Sequence, residues 1–158
     1  MERINQIMAH PLYQQHRNRI EQLEQDRKFC RHGLNHCLDV ARILYIKVLE
    51  EQLPITKGVV YATAILHDIG RDVQYEEEIP HHRAGAEIAA EILKDCSFSS
   101  EEIVRITEAI RLHHKKENED VFNALLYHAD KLSRNCFDCK AADECYWELE
   151  KRNSKVSI

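Results

Sequence analysis

The sequence predicts an all-α fold, a compact helical bundle, and three observations carry that prediction. Apolar residues recur at helical spacing in one segment after another. The 158 residues include only 4 Gly and 3 Pro, which leaves room for long helices with short connections. No stretch alternates apolar and polar residues as a half-buried strand would. With 44% hydrophobic and 31% charged residues, the composition is that of an ordered chain long enough to bury a real core. We read residues 1–158 as one domain, with a core over about 29–134 and a tail over 135–158.

The elements follow in order. Residues 1–8 form a short helix or a frayed start. Pro11 opens a second, polar helix running to about Lys28, with Leu12, Ile20 and Leu23 as its apolar points. His10 and His16 have no acid or thiol at ligand spacing and read as solvent-exposed. Residues 34–51 make a stronger helix, in which Leu34, Leu38, Ala41 and Tyr45 form one stripe and His36, Val40, Ile43 and Lys47 another, so His36 opens a partly apolar face. Pro54 ends that helix and Thr56 caps the next. This one, over 57–68, carries Val59, Val60, Ala62, Ala64, Ile65 and Leu66 and closes on His67-Asp68, with Gly70 as its stop. A loop with Asp72, Glu76, Glu77 and Glu78 follows, ending at Pro80. Residues 82–95 form an amphipathic helix through Gly85, Ile88, Ala89, Ile92 and Leu93. His81 lies four residues before Gly85, in line with that face, whereas His82 lines up with Ala86 and Ala89. Ser99 or Ser100 caps another helix, with Glu101 and Glu102 in its first turn. Its stripe of Ile103, Ile106, Ala109 and Ile110 leads to His113 and turns His114 toward solvent. The last core helix, over about 120–133, sets Asp130 at the border of a face made by Phe122, Leu125, Leu126, Ala129 and Leu132.

A histidine and an aspartate at the end of an apolar helix are costly to bury unless something pairs with them, and a metal ion pairs with both. Two imidazoles and two carboxylates suit a divalent first-row metal, and His36, His67, Asp68 and Asp130 supply that set. His81 and His113 add enough donors for a second ion, with Asp68 as the natural bridge between ions about 3.5–4 Å apart. The expected cofactor is one or two ions of Fe, Mn, Co, Ni or Zn. Such a centre lowers the pKa of water toward neutrality and makes it a nucleophile.

Five stretches carry a resemblance: Asn35-His36-Cys37-Leu38-Asp39-Val40-Ala41, Leu66-His67-Asp68-Ile69-Gly70, His81-His82-Arg83-Ala84-Gly85-Ala86, Ala109-Ile110-Arg111-Leu112-His113-His114 and Ala129-Asp130-Lys131. Together they resemble the HD-domain superfamily of metal-dependent phosphohydrolases, over about residues 29–134. The resemblance implies a bundle of the HD type and hydrolysis of a phosphomonoester or phosphodiester, often on a nucleotide, by metal-activated water. Asp68 and Asp72 are its catalytic candidates, Asp72 as general acid for the leaving group. Arg71, where family members often have lysine, and Lys131 are candidates for neutralising a phosphate oxygen. Members with all six ligands also include di-iron oxygenases, which gives one alternative. A non-enzymatic module that senses a nucleotide or redox state is another.

The tail holds Cys136, Cys139 and Cys145 in a Cys-x2-Cys-x5-Cys pattern. Thiolates at this density suit Zn or an iron–sulfur cluster, both of which want four ligands. Cys30 is the candidate fourth, with Cys37, His32 and His128 as competitors. Cys96 stands alone and reads as a small buried hydrophobe. The pattern resembles the Cys-bearing tail of a group of small bacterial HD proteins.

The formal net charge of -5 argues against nucleic acid as the main partner and leaves a small phosphate ester, with a nucleotide as one class. No apolar run is long enough to span a bilayer. Residues 1–6 lack the apolar core of a signal peptide, so a cytoplasmic location with reduced cysteines is the expectation.

Overall fold

The described residues form eight α-helices: α1 (Glu2–Ala9), α2 (Pro11–Leu23), α3 (Leu34–Glu50), α4 (Lys57–Leu66), α5 (Arg71–Glu77), α6 (His81–Asp95), α7 (Ser100–Leu112) and α8 (Val121–Leu132). Three short 3₁₀ turns follow, Cys136–Asp138, Ala142–Glu144 and Leu149–Lys151. This is a computed structural model, and it describes residues 1–157. The architecture is all-α, with no strand among the described residues.

α4 sets the architecture. From Val59 to Leu66 every side chain but that of Tyr61 is buried, as expected of a helix that is apolar all round. Thr63 is tolerated because its hydroxyl donates to the Val59 carbonyl at 2.8 Å. Val59, Ala62, Ile65 and Leu66 face a core shared with Ile4 and Ile7 of α1, Tyr13 of α2, Ile92 and Leu93 of α6, and Ile106 and Ile110 of α7. Val60 and Ala64 face a second core, built from Val40, Ala41, Leu44 and Val48 of α3 and Phe122, Leu126 and Ala129 of α8. α4 therefore lies between two apolar clusters, and its C-terminal end delivers His67 and Asp68 to the line where they meet.

Local sequence accounts for the caps. Thr56 accepts from the Val59 N–H at 3.3 Å, and Ser99 with Glu102 forms a complete capping box on α7.

Several expectations need correction. The acidic stretch after Gly70 is the helix α5, not a loop. It has almost no apolar stripe and is held by its neighbours: Arg19 of α2 pairs with Glu76, and the Tyr75 hydroxyl donates to Glu24 at 2.6 Å. α2 stops at Leu23, because the Glu24 carboxylate turns inward to bond His32. α6 starts at His81, with Pro80 as its N-cap. His10 and His16 are not solvent residues. His10 caps α2, its Nδ1 accepting from the Leu12 N–H at 3.2 Å. His16 lies 2.7 Å from Asp72 across the α2–α5 contact. Gly70 is not a left-handed stop either, since its φ is -89°. Its role is close approach: a Cβ there would meet the Gly85 backbone and sit 2.5 Å from the His81 carbonyl oxygen. Gly70 thereby lets α5 and α6 pack backbone to backbone, which sets how far His81 stands from Asp68.

Candidate metal centre

Four histidines and two aspartates converge where the two cores meet. His67 and Asp68 come from the end of α4, His36 from the first turn of α3, His81 from the start of α6, His113 from the end of α7 and Asp130 from α8. All but His81 are at least nine-tenths buried, and His81 is half-buried.

Each ring is held by the nitrogen that faces away from the centre. The His67 Nδ1–H donates to the Ala64 carbonyl at 2.7 Å, and the His113 Nδ1–H to the Ile110 carbonyl at 2.6 Å. The His81 Nδ1–H donates to the Gln74 side-chain oxygen at 2.5 Å. Ser133 spends its own hydroxyl proton on the Asp130 carbonyl at 2.7 Å, so its oxygen accepts from the His36 Nδ1–H at 3.0 Å. These bonds hold all four rings by Nδ1 and aim every Nε2 inward. That is the arrangement in which outer partners orient imidazoles toward a cation.

Asp68 divides its two oxygens between the histidines. Oδ2 lies 3.1 Å from His67 Nε2 and 3.7 Å from His36 Nε2. Oδ1 lies 3.4 Å from His81 Nε2 and 3.7 Å from His113 Nε2. Two ligand-like groups result, His36/His67/Asp68 and Asp68/His81/His113, each with its donor atoms within 4.8 Å of one another. Asp130 Oδ1 joins the first group, 3.3 Å from His36 Nε2.

The site as it stands leaves donor atoms without partners. His67 Nε2 and Asp68 Oδ2 are buried with no hydrogen-bond partner, a costly condition for polar atoms. His81 Nε2 and His113 Nε2 face each other at 3.1 Å, two lone pairs with only one proton's width between them. Burial opposes ionisation of Asp68 and Asp130. The neighbours win: His67 and Arg71 hold Asp68 well below the usual carboxylate range, and His36 and His67 do the same for Asp130. Burial also works against a charged His67, yet Asp68 and Asp130 raise its pKa. Burial, reinforced by Arg71, drives His81 down to about 3, and burial with His67 drives His113 to about 4. Both therefore stay neutral, the form that binds metal. A divalent cation at either group fits this donor set.

Of the phosphate-binding candidates, Arg71 Nε donates to Asp68 Oδ1 at 2.9 Å and Lys131 Nζ to Asp130 Oδ2 at 2.6 Å. The pairing of Arg71 is with a site carboxylate rather than with the nearby glutamates. Asp72 is not brought into the group and is committed to His16. His82 and His114 stack on each other outside it, ring centroids 4.0 Å apart.

Sequence reasoning missed Ser133, Gln74 and Arg134. Arg134 is buried and reaches both Asp130 Oδ1 (3.2 Å) and His36 Nε2 (3.4 Å). Its position four residues after Asp130 was a readable signal for an ion pair along one helix face.

The cysteines separate into two kinds. Cys37 and Cys96 are buried among apolar side chains, and burial pushes both thiols up. Cys30, Cys136, Cys139 and Cys145 line one cavity of about 320 Å³, which His36 and Arg134 also border. Among the described residues, no three cysteine sulfurs come within 4.8 Å of one another. His32 belongs to a different contact, with Nδ1 2.5 Å from Glu24 Oε1.

A family model described as HD domain matches residues 33–146. An uncharacterised protein of Clostridium beijerinckii is 47% identical over 156 residues, 99% of this chain and 99% of that protein. Ribonuclease Y 1 of Pediococcus pentosaceus is 29% identical over 115 residues, covering 72% of this chain and 20% of that protein. No solved structure matches the chain.

Proposed function

The chain belongs to the HD domain family, and from that premise we propose that it is a metal-dependent phosphohydrolase acting on a small phosphate ester, with nucleotides as the favoured class. The family implies metal-dependent phosphohydrolase chemistry; the reaction and substrate class are our reading. One observation carries it: His67 Nε2 and Asp68 Oδ2 are buried without a hydrogen bond although 3.1 Å apart, in a ring of imidazoles whose Nε2 atoms all point inward. A purely structural cluster would turn those atoms into a well-aligned hydrogen bond with each other. The partial likeness to a protein named as a ribonuclease supports phosphoester chemistry. The net charge of -5 supports a small substrate over a polymer.

His36, His67, Asp68 and Asp130 would hold one ion, and Asp68, His81 and His113 a second. When bound, such ions polarise phosphoryl oxygens and bring the pKa of water toward neutrality. The remaining work falls to the chain. Arg71 is a positioning residue, since its Nε is spent on Asp68 Oδ1 and holds the carboxylate between the two histidine pairs. Lys131 keeps its side chain 39% exposed while bonded to Asp130, and its ammonium has N–H donors to spare for a phosphate oxygen at the rim. Arg134 balances the charge of Asp130 from the opposite side. Asp72 is given no role in the reaction, because its carboxylate is bonded to His16.

The test is metal analysis of the purified chain, followed by a phosphate-release screen over nucleotides and generic phosphate esters. The expected result is bound transition metal and release that stops on chelation and returns with metal. Bound iron with oxygen consumption and no phosphate release from any ester would overturn it in favour of an oxygenase.

A further inference from the structure

We infer that Cys30, Cys136, Cys139 and Cys145 form a four-thiolate site for an iron–sulfur cluster, set against the wall of the His/Asp centre. These four line a single cavity although Cys30 precedes α3 and the other three follow α8. The family match runs over three of these thiols, but its description assigns them no role.

The tail has no core of its own. Over residues 135–157, Ala141 is the one buried apolar residue. Its backbone is nevertheless held in a defined path. The Arg152 guanidinium donates to three carbonyls, those of Trp147 (2.7 Å), Ala142 (2.7 Å) and Cys145 (2.8 Å). The Asn153 amide donates to the carbonyls of Lys131 (2.8 Å) and Arg134 (2.7 Å), tying the tail to the end of α8. Phe29 meets Tyr146 edge-on at 5.6 Å, and Lys28 pairs with Glu144, which draws the Cys30 segment onto the tail. So ordered a path without apolar burial is the mark of a segment folded around an inorganic centre.

Spacing favours a cluster over a single ion. Tetrahedral Zn with Zn–S bonds of about 2.3 Å packs its sulfurs about 3.8 Å apart. No three of these sulfurs lie within 4.8 Å of one another, whereas the His/Asp donors of the same chain do. A cluster stands its thiolates apart, because several irons and sulfides lie between them. The cavity of about 320 Å³ gives room for a four-iron cluster. Charge agrees: Lys28, Arg31, Arg134 and Arg152 line the cavity against one carboxylate, Asp39, and so offset the negative charge of a thiolate-bound cluster. The same cations beside Phe29 and Tyr146 would also suit a nucleotide, but a nucleotide makes no use of four cysteines around one cavity.

The experiment uses the full chain, prepared anaerobically, in an Asp68→Ala background so that iron at the His/Asp centre, both of whose groups need Asp68, does not enter the count. We expect about four irons and about four acid-labile sulfides per chain, as for a [4Fe–4S] cluster. Broad visible absorption should bleach on oxidation. Cys30→Ser, Cys136→Ser, Cys139→Ser and Cys145→Ser should each cut the sulfide by more than about half, and Cys96→Ala should leave it unchanged. As a check that does not depend on variants folding, four thiols of the untreated chain should resist alkylation until the cluster is destroyed. One Zn per chain without sulfide would overturn the proposal. So would four freely reactive thiols, including the case where a nucleotide alone protects them. Neither result bears on phosphate release, so this reading and the proposed hydrolase stand or fall separately.

Discussion

The His/Asp centre and the cysteine-lined cavity share a wall, His36 and Arg134, but are built in opposite ways. The first draws its donors from the ends of five helices whose apolar faces are buried, so each side chain is placed by packing that exists without any ligand. Its donor atoms already lie at coordination spacing. The second draws its thiols from turns and a linking segment, and one guanidinium and one amide do the work a core does elsewhere. Prebuilt packing gives short donor distances before anything binds; an irregular segment surrounds a space instead. The difference separates a site that a ligand enters from a segment that a ligand completes.

The largest expected effect tests whether the first region is one centre. Asp68 serves both histidine pairs, so Asp68→Ala should remove nearly all bound metal and lower phosphate release by about a thousandfold or more, the loss of several kcal/mol of charge stabilisation. Helical content should remain, as read by circular dichroism. His81→Ala acts on one half only and should lower the metal-to-protein ratio by about half. His82→Ala, on the stacked outer pair, should leave it unchanged by elemental analysis.

A third prediction concerns prebuilt packing. Gly70→Ala adds a methyl group where the backbone of α6 already lies. It should cost about 1–3 kcal/mol in denaturant unfolding and weaken metal binding through displacement of His81. If Gly70→Ala bound metal normally at unchanged stability, the claim that packing alone sets this centre would fail.

A fourth prediction is smaller and joins the two regions, because the segment between Glu24 and His32 carries Cys30. Burial alone would raise the pKa of Glu24, but hydrogen bonds from His32 and Tyr75 hold it at about 2. Its folded value therefore lies below its unfolded one. The clamp's contribution is complete above about pH 4.5 and is lost as pH falls toward 2, with about 2 kcal/mol at stake. Burial lowers the pKa of His32, so its protonation on acidification works in the same direction. Glu24→Gln should flatten the acid limb of a stability–pH curve. At the small end, Arg152→Ala should cost about 1 kcal/mol. It should speed alkylation of Cys145 and leave the metal content of the His/Asp centre as it was.

The helices and their inward faces were legible because periodicity reports burial directly. The stripe through Ile106, Ala109 and Ile110 selected His113 over His114, and the structure turns His113 inward. α5 was not legible, because seven residues with hardly an apolar stripe are held by partners on α2 that only the fold brings near. His16 was misread for the same reason, since Asp72 stands 56 positions away. The reason for Gly70 was hidden too: a close approach between two backbones leaves no periodic mark. In the tail, spacing pointed to thiol chemistry, while the separation of the sulfurs around a cavity needed three dimensions.

α4 belongs to both cores, and this has a consequence for motion. A helix packed on two sides cannot detach with either core alone, so its amide hydrogens should exchange with solvent only when the whole bundle opens. Residues 62–66 should be among the slowest in the chain, and the turns after α8 among the fastest. His67 and Asp68 sit at the end of the last element to let go. A chain that has lost its tail, or frayed at α1, should still hold these two side chains at the spacing they have in the intact bundle.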